Sequence, residues 1–187
     1  MTGRPRIVLV GGGARSGKST FALLRARELG ARRLFLATAR RYDAELSERI
    51  DRHRAERGAD FTTIEEPLAL PEAIRAAGPY DVAVVDCLTL WLSNLLLDGA
   101  GPDAVERRVD DLVAALAAAP CHVVLVTNEV GMGLHPETPL GRTFRDLAGR
   151  AHQRLSAVSD EVHLAVLGLL VRLKPAPLET RTPGGLP

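Results

Sequence analysis

Near the start of the chain, four consecutive apolar residues, Ile7-Val8-Leu9-Val10, run directly into Gly11-Gly12-Gly13-Ala14-Arg15-Ser16-Gly17-Lys18-Ser19. No other stretch constrains the fold as strongly. A short uninterrupted apolar run is the signature of a strand buried on both faces. From about Lys18 to Leu29 the pattern turns helical, and Gly30 closes it. Between strand and helix, Gly12 to Ser19 matches GxxxxGK[ST]. Glycines let the backbone curl until successive N–H groups point at one anion. The helix that follows adds its positive N-terminal end. The loop therefore predicts that Gly12, Gly13, Ala14, Arg15, Ser16, Gly17, Lys18 and Ser19 bind the phosphates of a nucleotide. Lys18 would reach the outer phosphates, and the Ser19 hydroxyl would ligate Mg²⁺.

The rest of the chain repeats this alternation. Further strands are predicted at Leu34–Ala37, Val82–Val85, Val123–Val126 and Val162–Leu170, the last followed by Lys174. Helices are predicted at 42–57, within 67–77, after Asp86 through Leu97, at 103–119 and at 142–158. The helix at 103–119 is the clearest, with Val105, Val109, Leu112, Val113 and Leu116 on one face. Apolar strands alternating with helices imply a mostly parallel sheet covered on both sides. Ligands bind such sheets beyond the carboxyl ends of the strands. That places Gly11–Ser19, Ala37–Arg41, Asp86 and Thr127–Gly133 on one edge. Residues 1–174 read as a single domain, and 175–187 as a loose Pro/Gly-rich tail.

Asp86, after four apolar strand residues, is the expected acidic partner of Ser19 at the Mg²⁺. A dinucleotide site would need GxGxxG and an acidic end to the second strand. Ser16 breaks the first, and Ala37-Thr38-Ala39 lacks the second. A Ras-like base-reading motif needs a lysine, but only Lys18 and Lys174 occur among 24 basic residues. A net charge of +1 argues against a nucleic-acid binder. The longest apolar run, Leu164 to Val171, is far short of the ~20 residues of a membrane span. Cys87 and Cys121 form no CxxC pair and read as buried thiols of a cytoplasmic protein.

In the predicted helix at 42–57, His53 has Arg49 and Arg57 at i−4 and i+4, with Arg52 and Arg54 beside it. Arginines this close disfavour imidazolium and would bind phosphate oxygens. A neutral histidine there suits attack on phosphorus, although a solvated helix face fits the same pattern. His122, His135, His152 and His163 show no metal-ligand spacing. Arg142, Arg145 and Arg150 fit equally a grip on a phosphorylated substrate or a solvated face.

Three blocks carry a resemblance to a known family: GGARSGKS at 12–19, the strand end into Asp86-Cys87, and VTNEVGMG…FRDLAGRAHQRL at 126–155. Over about residues 6–174 the chain resembles the bifunctional adenosylcobinamide kinases/adenosylcobinamide-phosphate guanylyltransferases of cobalamin biosynthesis. The resemblance implies a P-loop NTPase-like three-layer α/β/α fold. It implies phosphorylation of adenosylcobinamide from ATP or GTP, then transfer of GMP from GTP through a guanylyl-histidine. ERIDRHRAERG at 48–58 aligns His53 with that nucleophile. Nucleotide contacts would fall on Gly12–Ser19, Ala37, Thr38, Ala39, Arg54, Ala55, Glu56, Arg57, Glu65 and Asp86. A homotrimer is implied as well. Two departures stand out: Asp86 replaces a frequent Glu, and His152 an expected Asn. A monofunctional small-metabolite kinase and a non-enzymatic nucleotide switch are the competing readings.

Overall fold

The period-2 geometry of a strand sends Ile7 and Leu9 to one side of the sheet and Val8 and Val10 to the other. All four are buried, because helices cover both faces. The computed structural model describes residues 4–40 and 58–181. In chain order the elements are β1 (Ile7–Gly12), α1 (Lys18–Leu29), β2 (Arg33–Ala37), β3 (Thr62–Glu65), α2 (Leu70–Arg75) and β4 (Val82–Asp86). Then come α3 (Leu88–Leu97), α4 (Pro102–Ala117), β5 (His122–Asn128), α5 (Pro139–Val158), β6 (Glu161–Val166), β7 (Leu169–Lys174) and β8 (Glu179–Arg181). Among the described residues the strands form one eight-stranded sheet, ordered β3-β2-β4-β5-β1-β6-β7-β8. The first six in that order run parallel; β7 pairs antiparallel with β6, and β8 antiparallel with β7. The fold is α/β, with the mostly parallel sheet and three layers expected from the sequence.

On one face α2 to α5 enclose a core that includes Leu36, Val85, Trp91, Leu112, Leu125 and Leu155. On the other, α1 packs Phe21, Ala22 and Ala26 against Val10, Val84 and Val126. Both faces being dry explains why β1, β4 and β5 read as apolar runs rather than as alternations.

Several expectations need correction. The predicted single strand at Val162–Leu170 is the start of a hairpin. Leu167 and Gly168 take φ of 52° and 79°, the two positive values that a tight I′-type turn requires. Glycine meets that requirement freely, and Leu167 meets it out in solvent. The tail at 175–187 is not wholly loose, since Glu179–Arg181 pairs with β7. β3 has no counterpart among the predicted strands. α5 begins at Pro139, three residues before 142, because Thr138 Oγ1 accepts from the Gly141 N–H at 3.1 Å and caps it. The helix predicted at 42–57 lies outside the described residues.

Candidate active site

Parallel strands end together, so their carboxyl ends bring distant residues to one edge. Glu65 on β3 pairs with Ala37 on β2, which pairs with Asp86 on β4. Farther along the sheet, Gly11 and Gly12 of β1 pair with Thr127 and Asn128 of β5. The loop from Gly12 to Ser19 and the residues Ala37, Thr38, Glu65 and Asp86 thus share one rim. His53, Arg54, Ala55, Glu56 and Arg57, with Arg49, lie outside the described residues.

Close packing and backbone hydrogen bonds fix the path of the loop. Gly12 presses on β6 so closely that a Cβ there would lie 2.5 Å from the Ala165 carbonyl oxygen. The Ser16 N–H donates to the Gly13 carbonyl at 3.3 Å, and Phe21 N–H to Gly17 at 3.0 Å. Lys18 is buried, and its ammonium donates to the Gly13 carbonyl at 3.0 Å, folded back over the loop. Ser16 Oγ is buried with no hydrogen-bond partner among the described residues. A polar atom left so costs about 1–3 kcal/mol, which an anion in the loop would relieve. Ser19 stands half-buried on the first turn of α1.

Thr38 locks the neighbouring strand ends together. Its hydroxyl donates to the Cys87 carbonyl and accepts from the Cys87 N–H, both at 2.8 Å. Its own N–H donates to the Asp86 carbonyl at 3.2 Å. Asn94 of α3, buried, donates to the Thr38 carbonyl at 2.7 Å and to Pro67 at 3.1 Å. Burial pushes the Cys87 thiol up, the Asp86 carboxylate adds to this and the Lys18 ammonium opposes it. Both charges therefore converge on this corner.

Mg²⁺ prefers hard oxygen donors and is commonly held by one or two carboxylates with substrate phosphates completing its shell. Ser19 and Asp86 match that donor chemistry. No group of three or more His, Cys, Asp or Glu among the described residues could cage a metal alone. Ser19 and Asp86 thus offer oxygen donors of the kind Mg²⁺ takes.

The arginines of the C-terminal block divide differently from either expectation. Arg142 donates to the Pro136 and Glu137 carbonyls and ties its own loop. Arg150 pairs with Glu106 at 2.8 Å and braces α5 against α4. Arg145 lies 3.2 Å from His135. His152 has a role that spacing did not signal: its Nε2 is 2.7 Å from Thr127 Oγ1, and its Nδ1 is 3.7 Å from Glu129.

A family model described as cobinamide kinase / cobinamide phosphate guanyltransferase matches residues 8–173. The chain belongs to this family. It is 41% identical over 181 residues to the bifunctional adenosylcobalamin biosynthesis protein CobU of Escherichia coli, covering 90% of this chain and 99% of that protein. It is 42% identical over 171 residues to the bifunctional adenosylcobalamin biosynthesis protein CobP of Pseudomonas aeruginosa, covering 91% and 98%. In fold alone it is similar to the RadB recombinase, with a TM-score of 0.53 and 14% identity over 94% of this chain and 86% of that one.

Proposed function

We propose that this chain phosphorylates adenosylcobinamide and then transfers GMP from GTP to the product, giving adenosylcobinamide-GDP. The observation that carries this reading is the family match across 8–173 on a chain whose phosphate loop, Lys18 and Asp86 share one rim. In the first reaction, loop N–H groups and Lys18 hold the phosphates of ATP or GTP and offset the charge that develops on the transferred group. Ser19 and Asp86 would hold Mg²⁺, which supplies further charge neutralisation. Ala37, Thr38, Ala39 and Glu65 line the side of the nucleotide away from β1.

In the second reaction His53 attacks the α-phosphorus of GTP. A nitrogen–phosphorus bond forms, and the bond to pyrophosphate breaks. The phosphate of adenosylcobinamide phosphate then attacks, and GMP leaves His53. Arg49, Arg54 and Arg57 offset charge at the α-phosphate, with Ala55 and Glu56 on the same segment. The chain works as a homotrimer in the cytoplasm, on corrinoid and nucleotide rather than nucleic acid. Two free, buried cysteines agree with a reducing compartment. No helix among the described residues is long and apolar enough to cross a membrane. The outward face of the β6–β7 hairpin, with Val166, Leu169 and Leu173 exposed, supports an assembled state.

Incubation with α-labelled GTP tests the reading. Covalent label that is acid-labile and alkali-stable is expected on the parent chain and absent from His53→Ala. Label that persists in His53→Ala removes the nucleophile assignment. Corrinoid phosphorylation with no covalent GMP at all would leave a simple kinase.

A further inference from the structure

Between α5 and the β6–β7 hairpin lies a cavity of ≈ 400 Å³. Leu9, Val162 and Leu164 form an apolar wall, and Thr127, Glu129 and His152 form a polar end. The polar end abuts the phosphate loop. Asn128 pairs with Gly12 in the sheet, and the Glu129 N–H donates to the Gly12 carbonyl at 3.0 Å. A carboxylate is thereby anchored beside the first residue of the loop.

One backbone N–H holds it, and the His152 ring stands on its other side. Oε1 accepts from the Gly131 N–H at 2.7 Å. Oε2 faces His152 Nδ1 at 3.7 Å, while the other ring nitrogen is tied to Thr127. The carboxylate is only partly buried, so one edge stays open to a ligand. Of the other carboxylates, Glu65 stands on the far edge strand β3, Glu66 caps the N-terminus of α2 through the Leu68 and Ala69 N–H groups, and Asp86 sits beyond β5 with the metal chemistry proposed for it.

We propose that Glu129 is the general base of the phosphoryl transfer, and that the adjoining cavity seats the hydroxyl-bearing arm of the acceptor. This rests on the kinase reading above. In-line transfer to an alcohol needs a group that takes the hydroxyl proton as the oxygen attacks. The acceptor oxygen forms a bond to the γ-phosphorus, and its proton passes to Glu129. The bond from the γ-phosphorus to the bridging oxygen breaks, and its electron pair leaves on the nucleoside diphosphate. Glu129 returns the proton to water. His152 is a positioning residue. Its ring, tied to Thr127 through the other nitrogen, walls the carboxylate on one side; burial pushes its pKa down while Glu129 raises it.

The two activities of one chain supply the control. The acceptor of the second reaction is a phosphate, already ionised, and needs no base. Glu129→Gln keeps size and shape while removing basicity. The expected result is a kinase kcat lowered by about 100-fold or more, with nucleotide KM and guanylyl transfer to supplied adenosylcobinamide phosphate both within about threefold of the parent. Glu129→Asp should recover part of the kcat. Glu137→Gln, on the same loop, should change neither rate. An active parent with an equally active Glu129→Gln overturns the base alone. Loss of nucleotide binding and of both reactions marks Glu129 as structural and also overturns it. A parent that fails to phosphorylate the corrinoid overturns the kinase reading beneath it.

Discussion

Two lysines stand among so many arginines, and each makes a specific contact. Lys18 folds a compact ammonium over the phosphate loop, where a planar fork would not fit. Lys174 reaches the last carbonyls of α5, donating to Ser156 at 3.1 Å and Ala157 at 3.0 Å. A cation there complements the negative end of the helix. Nothing in the sequence around Lys174 points to that contact, since its partners lie 17 and 18 residues earlier. Gly12 is decided by contact rather than by chemistry. Gly12→Ala would drive a Cβ into the Ala165 carbonyl oxygen of β6. We expect a loss of about 1–3 kcal/mol, as for other overpacked sites, with weakened nucleotide binding. Urea denaturation and a nucleotide titration would measure both, and a fully stable, tight-binding variant would contradict the packing argument.

At the scale of elements, the β1–loop–α1 unit is legible because each signal is local: an apolar run, glycines, then helical periodicity. β4 and β5 are legible for the same reason. The hairpin is not, because Leu164 to Val171 is apolar throughout except for Gly168, and Leu167 occupies a turn position usually given to Asn or Asp. β3 is hidden by its place at the sheet edge, where Thr62, Glu65 and half-exposed Ile64 give no apolar run. The Glu129–His152–Thr127 contact joins residues 23 to 25 apart, and only the tertiary placing of α5 beside the end of β5 creates it. Of the expected site, the loop, Thr38 and Asp86 follow from motif and strand ends. The Asn94 latch does not, because a buried Asn inside an apolar helix carries no pattern. Asn94→Ala would leave the Thr38 and Pro67 carbonyls without this donor. A loss of about 1–3 kcal/mol is expected, with weaker nucleotide binding, and an unchanged urea midpoint would show that the latch carries no stability.

The whole molecule is tied together by carboxylates that clamp one element to the next, and acid should undo them together. Glu161 opens β6, and its hydrogen bond to His163, with Arg25 of α1 alongside, holds its carboxyl down at about 2. Glu72 of α2 is held at about 2 by the paired nitrogens of Arg108 on α4. Asp81 is held at about 2 by Arg32 and by the N–H groups of Arg32 and Ala31, closing the loop before β2 onto β4. In each case the folded state keeps the carboxylate ionised at a pH where the unfolded chain binds a proton. The stability is therefore complete above the ordinary carboxyl value of about 4–4.5 and is lost as pH falls toward 2. His152 and His122, their pKa pushed down by burial, act in the same direction from a higher starting point. They bind protons less readily folded than unfolded, so stability begins to fall below about 6.5. Urea midpoints between pH 7 and pH 3 should decline in two stages, a shallow one from the histidines and a steeper one from the carboxylates. Glu161→Gln should flatten the steeper stage. Equal slopes in parent and variant would mean that the contacts of Glu161 contribute nothing to the acid response of the fold.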